Sequence, residues 1–462
     1  MSPRLLVVAN RLPVHRGRRE EGGGERWETS PGGLVSALKP ILERTGGSWV
    51  GWDGAGRSAG RARRPFTHEG VDLIPVAISK READAYYHGF ANATLWPLYH
   101  DAIRTPRFEP RWWEPYVEVN RRFAEAAAAA LGPRDVAWVH DYHLQLVPRF
   151  LRDLRPRARI GFFLHIPFPP PELFAQLPWR RALLEGLLAA DLVGFQTRGG
   201  ARNFLEVARR YAGAKLGEDT ATLRGRATRA RAFPISIDFA AHDALARAPE
   251  TSARAERLAR RVGGRRILLG VDRLDYTKGI DVRLSAVEAL LGSGRLDPER
   301  AVFLQIAVPS REDLTEYAQI RTEVERRVGR INGVHGEPGR AAVHYLYRSL
   351  PIEELSAYYR AAETMLVTPL RDGMNLVAKE YVAAHGEERG VLVLSEFAGA
   401  ARELRQALLV NPHDVDGVAA AIEQALAMPD REAARRMRAM RRTVGRHDVH
   451  RWSKAYLETL AP

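Results

Sequence analysis

The stretch RRILLGVDRLDYTKGID, residues 265–281, joins an apolar run to a polar segment and is the strongest single indication of the fold. The apolar run at 267–271 is typical of a buried strand. Two cations, Arg273 and Lys278, follow it five residues apart, with a turn glycine at Gly279. A solvated loop after a strand explains this pattern, and so does a clamp for a diphosphate at the carboxyl edge of a sheet. The rest of the chain decides between the two interpretations.

Short apolar runs alternate with amphipathic stretches along the whole chain, a pattern that indicates a parallel α/β architecture. We predict a helix over 119–132 and strands over 4–10, 71–78, 135–141, 159–166, 191–197, 265–272, 302–308, 343–348, 364–370 and 391–396. These strands are too many for one doubly wound sheet, and they divide near residues 232–250. We therefore predict two Rossmann-like halves, each with ligand loops at the carboxyl ends of its strands. The polar, Gly-rich segment 15–33 is predicted to be a loop.

Composition restricts the class of protein. A chain of 462 residues with 45% hydrophobic residues is long enough for two or three domains. It contains no cysteine, which excludes disulfides and zinc–thiolate sites. No apolar run approaches the ~20 residues of a membrane span, and the N-terminus predicts an early strand rather than a signal peptide. We therefore expect a cytoplasmic protein that does not bind a membrane.

The net charge of +14 raises the question of nucleic-acid binding. Only six of the 70 basic residues are lysines, and the arginines recur at helical spacing, as in 254–266 and 431–442. That distribution is typical of solvated helix faces, and the sequence has no zinc-finger spacing or aromatic-flanked RNA-binding motif. We therefore predict that nucleic acid is not the main ligand and that anionic small substrates account for the basicity.

Polar residues and glycines follow the first predicted strand. Asn10 and Arg11 come directly after it, and Gly32 and Gly33 precede an amphipathic helix about twenty residues later. Glycines at such a position let a phosphate approach the backbone N–H groups of a helix N-terminus. A Gly-Gly pair before a helix is also common where no phosphate binds, so both interpretations stay open at this point.

Two further strand exits carry histidines. The motif WVHDYHLQLVP (138–148) places two histidines around Asp141, and FFLHIPFPPPELF (162–174) ends its apolar run at His165. A histidine pair at i, i+3 without further carboxylate ligands is weak support for a metal site, so we predict none. Asp141 is better explained as a hydrogen-bond acceptor in a cleft. His165, taken alone, fits a satisfied core histidine.

The segment TPLRDGMNLVAKEYVAAHG (368–386) indicates a nucleotide-sugar site. Its strand ends in Arg371, Asp372 and Gly373, and the next helix begins with NLV. Glu380 lies on the following turn, where a carboxylate can accept both hydroxyls of a ribose. Each residue alone fits a structural role, but together in the crevice of a parallel sheet they predict a bound nucleotide sugar.

Eight motifs in order along residues 5–460 resemble the trehalose-6-phosphate synthase family of retaining, UDP-forming glycosyltransferases. They are ANRLPV, GGLVSAL, WVGWDG, LWPLYH, WVHDYHLQLVP, GFFLHIPFP, VDRLDYTKGI and LRDGMNLVAKEYVA. The resemblance implies the GT-B fold, in which two Rossmann-like domains face a deep cleft and a C-terminal helix crosses back to the first domain. It implies an acceptor-binding domain at 1–238, a nucleotide-sugar-binding domain at 239–445 and the crossing helix at 446–462.

The resemblance assigns the opening stretch to the sugar donor. Arg273 and Lys278 match the residues that hold the diphosphate, where fixed positive charge stabilises the leaving group without a metal. His165 and Asp372 match groups that contact the hexose, and Glu380 matches the ribose-binding carboxylate. The full donor set that the family pattern implies is Gly32, Gly33, His165, Arg273, Lys278, Leu350, Asp372, Leu376, Val377, Ala378, Lys379 and Glu380. The implied catalytic set is Arg273, Lys278, Asp141 and His165.

The same resemblance assigns five residues to the acceptor. Arg11 and Arg311 match the arginines that bind the phosphate of glucose 6-phosphate, and bidentate guanidinium geometry suits a phosphate monoester. Tyr87 is expected to donate a hydrogen bond to that phosphate. Trp96 is expected to line the pocket as an apolar wall, and Asp141 to contact sugar hydroxyls.

The implied reaction moves glucose from a nucleoside diphosphate glucose, expected to be UDP-glucose, to glucose 6-phosphate with retention. Trehalose 6-phosphate and the nucleoside diphosphate are the expected products, with no cofactor and no metal; a homo-oligomer stays open. A sister enzyme that uses another phosphorylated acceptor, such as glycerol 3-phosphate, is an alternative. A non-catalytic regulatory homologue is disfavoured because Arg273, Lys278, Asp372 and Glu380 are all present.

Overall fold

The computed structural model describes residues 4–16, 27–29, 33–54, 64–311, 315–387 and 389–461. The chain divides into two compact units, called here the first unit (residues 1–235 with 450–462) and the second unit (residues 236–449). Each unit contains its own parallel sheet with helices between the strands.

The first unit contains twelve strands among its described residues. They are β1 (Leu5–Arg11), β2 (Val14–Arg16), β3 (Trp27–Thr29), β4 (Gly47–Trp52), β5 (Phe66–His68), β6 (Val71–Pro75), β7 (Val136–His140), β8 (Arg159–Phe163), β9 (Leu192–Phe195), β10 (Lys215–Leu216), β11 (Thr220–Leu223) and β12 (Arg226–Ala232). Ten of them form one sheet in the order β10-β11-β12-β9-β8-β7-β1-β4-β6-β5, and β2 pairs with β3. The strands from β12 to β6 pair in parallel, and the antiparallel pairs lie at the two edges.

The second unit has a six-stranded sheet in which every pair is parallel. Its strands are β13 (Arg266–Arg273), β14 (Ala301–Val308), β15 (Val343–Tyr347), β16 (Thr364–Val367), β17 (Val391–Ser395) and β18 (Leu408–Val410). Their order β15-β14-β13-β16-β17-β18 is that of a doubly wound dinucleotide-binding sheet. The centre of the first sheet repeats the same order, with β1 and β7 as the two strands at which the winding reverses. The predicted α/β class with two Rossmann-like domains is therefore confirmed.

Helices cover both faces of these sheets, as the crossover connections of parallel strands require. In the first unit they are α1 (Gly33–Thr45), α2 (Lys80–Ala83), α3 (Trp96–Tyr99), α4 (Pro110–Ala130), α5 (Val147–Leu154), α6 (Pro171–Phe174), α7 (Arg180–Leu187) and α8 (Arg198–Val207). In the second unit they are α9 (Phe239–Arg247), α10 (Pro249–Arg261), α11 (Ile280–Gly292), α12 (Thr315–His335), α13 (Ile352–Ala361), α14 (Leu376–Ala384), α15 (Val415–Leu426) and α16 (Asp430–Arg446). The last helix, α17 (Val449–Leu460), belongs to the first unit from residue 450 onward.

Helix α17 packs on the sheet of the first unit through two aromatic side chains. The ring of Tyr456 stacks on that of Trp138 with centroids 4.5 Å apart, and its hydroxyl donates to the carbonyl oxygen of Phe162 at 3.0 Å. Gly161 and Gly194 make this approach feasible, because a Cβ at either position would collide with the Tyr456 ring or hydroxyl. The two glycines therefore leave room on the sheet for the Tyr456 side chain of α17.

All ten predicted strands are present, with ends that differ by up to three residues. Of the predicted loop at 15–33, residues 17–26 and 30–32 lie outside the described residues. The prediction is wrong at 15–16 and 27–29, which pair as the antiparallel strands β2 and β3, and at Gly33, which begins α1. The short or edge strands were missed for a physical reason. The strand β12 carries alternating arginines, and β5 and β10 are three and two residues long, so none of them has a buried apolar run.

Candidate active site

The opening stretch folds as a strand, a 3₁₀ turn and a helix in the second unit. β13 ends at Arg273, which is exposed; the turn at Tyr276–Lys278 follows; and α11 begins after Gly279. Gly279 has a φ of 60°, and a Cβ there would collide with the carbonyl oxygen of Thr368. The hydroxyl of Thr368 in turn donates to the carbonyl of Gly279 at 3.1 Å. Gly279 therefore allows the segments that follow β13 and β16 to lie in direct contact.

These two exits lie at the point where the strand order of the second unit reverses, the usual ligand position in open α/β sheets. There Lys278 Nζ lies 2.5 Å from Asp372 Oδ2, and each side chain is 12% exposed. Asp372 also accepts from the side-chain nitrogen of Asn375 at 3.2 Å and from the backbone N–H of Met374 at 3.3 Å. The structure therefore brings together two residues that were predicted from separate motifs.

Helix α14 begins beside this ion pair. Its N-cap, Asn375, has a φ of 75° and accepts from the N–H of Ala378 at 3.2 Å. The first N–H groups of a helix have no partner within it, so Leu376 and Val377 can offer theirs to an anion. Lys379 is buried and its ammonium binds Glu403 at 2.7 Å, so only its backbone remains for a ligand. Burial lowers the pKa of Lys379, although Glu403 opposes that shift.

Glu380 lies on the next turn of α14 and is partly exposed. Its Oε2 accepts a hydrogen bond of 2.8 Å from the hydroxyl of Tyr359, a buried residue on α13. Tyr359 was not singled out from the sequence, because nothing in its local pattern distinguishes it from an ordinary core tyrosine.

Arg311 forms a buried ion pair in the second unit. Its guanidinium lies 3.1 Å from Asp275 Oδ2 and also contacts the hydroxyl of Tyr317. Burial alone would raise the pKa of Asp275, but Arg311, Arg273 and Lys278 outweigh it and lower that pKa to about 2. Asp275 further accepts from Thr277, which shapes the turn that carries Lys278. The predicted role of Arg311 at the acceptor phosphate stays a prediction.

A second buried pair lies below the same exits. Arg283, fully buried on α11, binds Asp272 Oδ2 at 2.5 Å and the carbonyl oxygen of Leu366 at 3.0 Å. Burial raises the pKa of Asp272, although Arg283 and Lys278 oppose the shift. This pair joins the ends of β13 and β16 from beneath and thereby supports the residues above it.

In the first unit, Arg11 ends β1, one of the two strands where the winding reverses. Its guanidinium carbon lies 3.9 Å from the ring centroid of Trp52 and 5.4 Å from that of Tyr87. Tyr87 also stacks on His143 with centroids 5.6 Å apart. Tyr87 itself lies in a π-helical segment, Asp84–Leu95, a rare conformation that often occurs at functional sites. The structure thus joins two predicted phosphate-binding residues, with Trp52 as an aromatic support.

Asp141 and His165 meet at the neighbouring strand ends. Asp141 follows β7 with a φ of 74°, and its Oδ1 accepts from the backbone N–H of His165 at 3.2 Å. The imidazole of His165 is hydrogen-bonded to that of His140, with Nε2 and Nδ1 3.0 Å apart. Burial lowers the pKa of His165 to about 3, so the ring is neutral over the physiological pH range.

Four other residues were predicted from the sequence to belong to the site. Trp96 begins α3 and is 4% exposed, with its ring against Tyr142 and His100. Leu350 lies in the loop between β15 and α13 and is half-buried. Gly33 begins α1, whereas Gly32 lies outside the described residues.

Metal ligands and membrane spans were also sought. Within the described ranges, no group of three His, Asp or Glu side chains could hold a metal ion. None of the helices described combines the length and apolar character needed to span a bilayer.

Comparison with known families and proteins gives matches over nearly the whole chain. The family described as Glycosyltransferase family 20 matches residues 3–462. A trehalose-6-phosphate synthase of Mycolicibacterium vanbaalenii is 54% identical, and the alignment covers 99% of this chain and 96% of that relative. A trehalose-6-phosphate synthase of Mycolicibacterium smegmatis is 53% identical, with coverage of 99% and 92%.

Two solved structures are similar in fold as well as in sequence. A UDP-forming alpha,alpha-trehalose-phosphate synthase of Burkholderia xenovorans, in complex with glucose-6-phosphate, has a TM-score of 0.92 and 38% identity, covering 99% of this chain and 100% of that one. An E. coli structure bound with UDP-2-fluoro glucose has a TM-score of 0.90 and 36% identity, covering 99% and 98%. The predicted GT-B fold class is confirmed by these similarities.

Proposed function

Because this chain belongs to glycosyltransferase family 20, we propose that it transfers glucose from UDP-glucose to glucose 6-phosphate with retention, giving trehalose 6-phosphate and UDP. The curated relatives bear the name of this activity, and the similar solved structures hold glucose-6-phosphate in one case and UDP-2-fluoro glucose in another. The observation in this chain that carries the proposal is the cluster of Lys278, Asp372 and the α14 N-terminus where the strand order reverses.

The second unit supplies the donor site. Arg273 and Lys278 bind the diphosphate, together with the backbone N–H groups at the start of α14. Asp372 accepts hydrogen bonds from the hexose hydroxyls, and Glu380 accepts them from the ribose. Positive charge fixed in advance stabilises the negative charge that develops on the leaving diphosphate.

The first unit supplies most of the proposed groups for the acceptor, and the second unit supplies Arg311. Arg11, held over the Trp52 ring, and Tyr87 beside it provide a cation and a neutral donor for the phosphate of glucose 6-phosphate. Asp141 accepts from sugar hydroxyls, and its own backbone geometry is set by the turn after β7. Arg311 adds a second guanidinium, for which the acceptor phosphate competes with Asp275.

The reaction exchanges one glycosidic bond for another on the same face of the sugar. The bond between C1 of the glucosyl group and the β-phosphate oxygen breaks, and the anomeric oxygen of glucose 6-phosphate bonds to C1. The proton of that attacking hydroxyl passes to an oxygen of the departing diphosphate. The transition state has oxocarbenium character, so positioning and charge stabilisation provide most of the acceleration.

A double displacement would need a carboxylate free to attack C1. The carboxylates described near the donor residues have other proposed roles or buried partners: Asp272 and Asp275 are paired with Arg283 and Arg311, and Asp372 and Glu380 accept from sugar hydroxyls. These assignments favour the front-face mechanism, in which the leaving group itself takes the proton.

The experiment that tests the function is release of nucleoside diphosphate from UDP-, GDP- and ADP-glucose, each with glucose 6-phosphate, glucose, glycerol 3-phosphate or no acceptor. We expect UDP release that depends on glucose 6-phosphate, and a product whose two anomeric centres are both α by NMR. UDP release that occurs only when glycerol 3-phosphate is the acceptor would overturn the proposal. So would no release from any combination of donor and acceptor.

The proposal extends to the conditions under which the enzyme acts. It acts in the cytoplasm on two small substrates, requires no metal or cofactor, and does not use nucleic acid as a ligand. The charge supplied by Arg273 and Lys278 supports the statement on metals, the lack of cysteine agrees with the cytoplasm, and the scattered arginines support the statement on nucleic acid. A gel shift with random duplex DNA at several salt concentrations tests the last of them.

A further inference from the structure

One buried hydroxyl beside the donor residues has no part in the mechanism above. Tyr359, on α13, is 1% exposed, and its hydroxyl donates to Glu380 Oε2 at 2.8 Å. The two residues come from the helices that precede and follow β16 in the chain, and they are 21 residues apart in sequence. This hydrogen bond therefore joins a buried hydroxyl in the core of the second unit to a partly exposed carboxylate at the proposed donor site.

The Tyr359 hydroxyl is a permanent donor. Burial raises the pKa of Tyr359 well above its ordinary value, and the nearby Glu380 and Asp272 raise it further. The phenol therefore keeps its proton over the physiological pH range. The tyrosine is also anchored through its backbone, because its carbonyl oxygen lies 3.0 Å from Nε2 of the buried His385.

The hydrogen bond from Tyr359 favours one rotamer of the Glu380 side chain. A carboxylate has about four lone-pair positions, and one of those on Oε2 is occupied by Tyr359. The remaining positions, including both on Oε1, can receive the two hydroxyls of a vicinal diol. A glutamate side chain that is already ordered loses less conformational entropy on binding than a free one.

We propose that Tyr359 is a positioning residue for the ribose of the sugar nucleotide, holding the Glu380 carboxylate in the orientation that accepts the ribose hydroxyls. The inference rests on the proposed function and on the ribose-binding role of Glu380, and it extends both to a residue that does not touch the substrate.

Tyr359→Phe removes the hydrogen bond and keeps the ring. We expect the Kd for UDP-glucose, measured by calorimetry without acceptor, to rise about 2–10-fold, because the released Glu380 side chain must then be ordered on binding. The Kd for 2′-deoxyuridine diphosphate glucose, which lacks one of the two ribose hydroxyls, should rise much less. The ratio of the two Kd values, which measures the preference for the ribose donor, should therefore move closer to one. The KM for glucose 6-phosphate should stay within about twofold.

Tyr381→Phe is the matched control. Tyr381 is fully buried on α14, one residue after Glu380, and its hydroxyl donates to the carbonyl oxygens of Ala362 and Glu363 at 3.3 and 3.2 Å. Its loss should lower the unfolding temperature about as much as Tyr359→Phe does, with the Kd for UDP-glucose unchanged. A general loosening of the helices would instead weaken donor binding in both variants and would overturn the inference.

Glu380→Ala separates this inference from the assignment on which it rests. If Glu380→Ala weakens UDP-glucose binding and Tyr359→Phe does not, the positioning role is wrong and the ribose site stands. If neither change weakens it, both are wrong. In the Glu380→Ala background, Tyr359→Phe should have no further effect on the Kd, and an undiminished effect there would also overturn the inference. Binding is measured without turnover, so UDP release by the parent enzyme tests the proposed function separately.

Discussion

Lys278 and Asp372, 94 residues apart in sequence, form a direct ion pair of 2.5 Å at the point where the strand order of the second unit reverses. One is the proposed cation for the diphosphate and the other the proposed acceptor for the hexose hydroxyls. Each neutralises the charge of the other, and each side chain is 12% exposed. In the proposed donor complex, both groups gain new partners at the same time.

Lys278→Ala should lower both turnover and stability. We expect kcat to fall about 10²–10³-fold, because a fixed charge on the leaving group is lost. The unfolding temperature should fall by several degrees, since Asp372 keeps its charge in a nearly closed site without its cation. UDP release and thermal unfolding measure the two effects.

Arg273→Ala is the informative comparison. Arg273 is exposed at the end of β13, so its loss should lower kcat similarly and change the unfolding temperature by less than about 2 °C. Lys454→Ala, at an exposed position on α17, should change neither quantity. Normal kcat in a folded Lys278→Ala or Arg273→Ala enzyme would contradict the diphosphate assignment.

Arg311→Ala should weaken binding of the acceptor more than binding of the donor. A charge-assisted hydrogen bond to the phosphate is worth roughly 1.5–3 kcal/mol, which predicts a rise of about 10–150-fold in KM for glucose 6-phosphate. The preference for the phosphorylated sugar over glucose should narrow. Asp275→Asn removes the competing carboxylate but keeps the guanidinium, so it should not raise this KM. A variant that kept the full preference would place the acceptor phosphate elsewhere.

The neutral His165 should make stability depend on pH. In the unfolded chain its imidazole gains a proton near its ordinary pKa of 6.5, whereas in the folded protein it does so at about 3. The stabilisation is therefore complete above pH 6.5 and is lost as the pH falls from 6.5 towards 3. His165→Gln should reduce the slope of unfolding free energy against pH in this range by about 1 kcal/mol per unit. Equal slopes in urea titrations of the two proteins would show that the ring is not held neutral.

Activity should persist after treatment with excess EDTA. In the proposed donor site, Arg273, Lys278 and the N-terminus of α14 are the source of positive charge for the diphosphate. Initial rates of UDP release before and after chelation, with Mg²⁺ added back, measure this. Complete loss that Mg²⁺ restores would mean that a metal ion supplies part of the charge on the leaving group.

Much of the fold could be predicted from the sequence, because the strands of a parallel sheet are buried on both faces. β7, VAWVH, is buried throughout and forms a continuous apolar run. β4, GSWVGW, is nearly as buried but is recognisable only as a motif, since it begins with Gly47 and Ser48 and its apolar residues are interrupted by Gly51. The twelve-residue π-helix at Asp84–Leu95 has no sequence signal in the 3.6-residue periodicity.

The site could be predicted only as a set of strand exits. Polar residues after apolar runs placed Arg11, Asp141, Lys278 and Asp372 at the carboxyl ends of strands, where the structure also has them. Which of these residues are paired could not be predicted. The Lys278–Asp372 and Tyr359–Glu380 contacts depend on which strands and helices become neighbours, and local patterns do not contain that information.

Helix α17 also has a consequence for how the protein is made. It stacks Tyr456 on Trp138 and fills the space over Gly161 and Gly194, yet it follows the whole of the second unit in the chain. During synthesis, the part of the first sheet around Gly161 and Gly194 therefore stays uncovered until more than two hundred further residues have been added. The order of synthesis and the order of assembly are different, and the first unit is completed last.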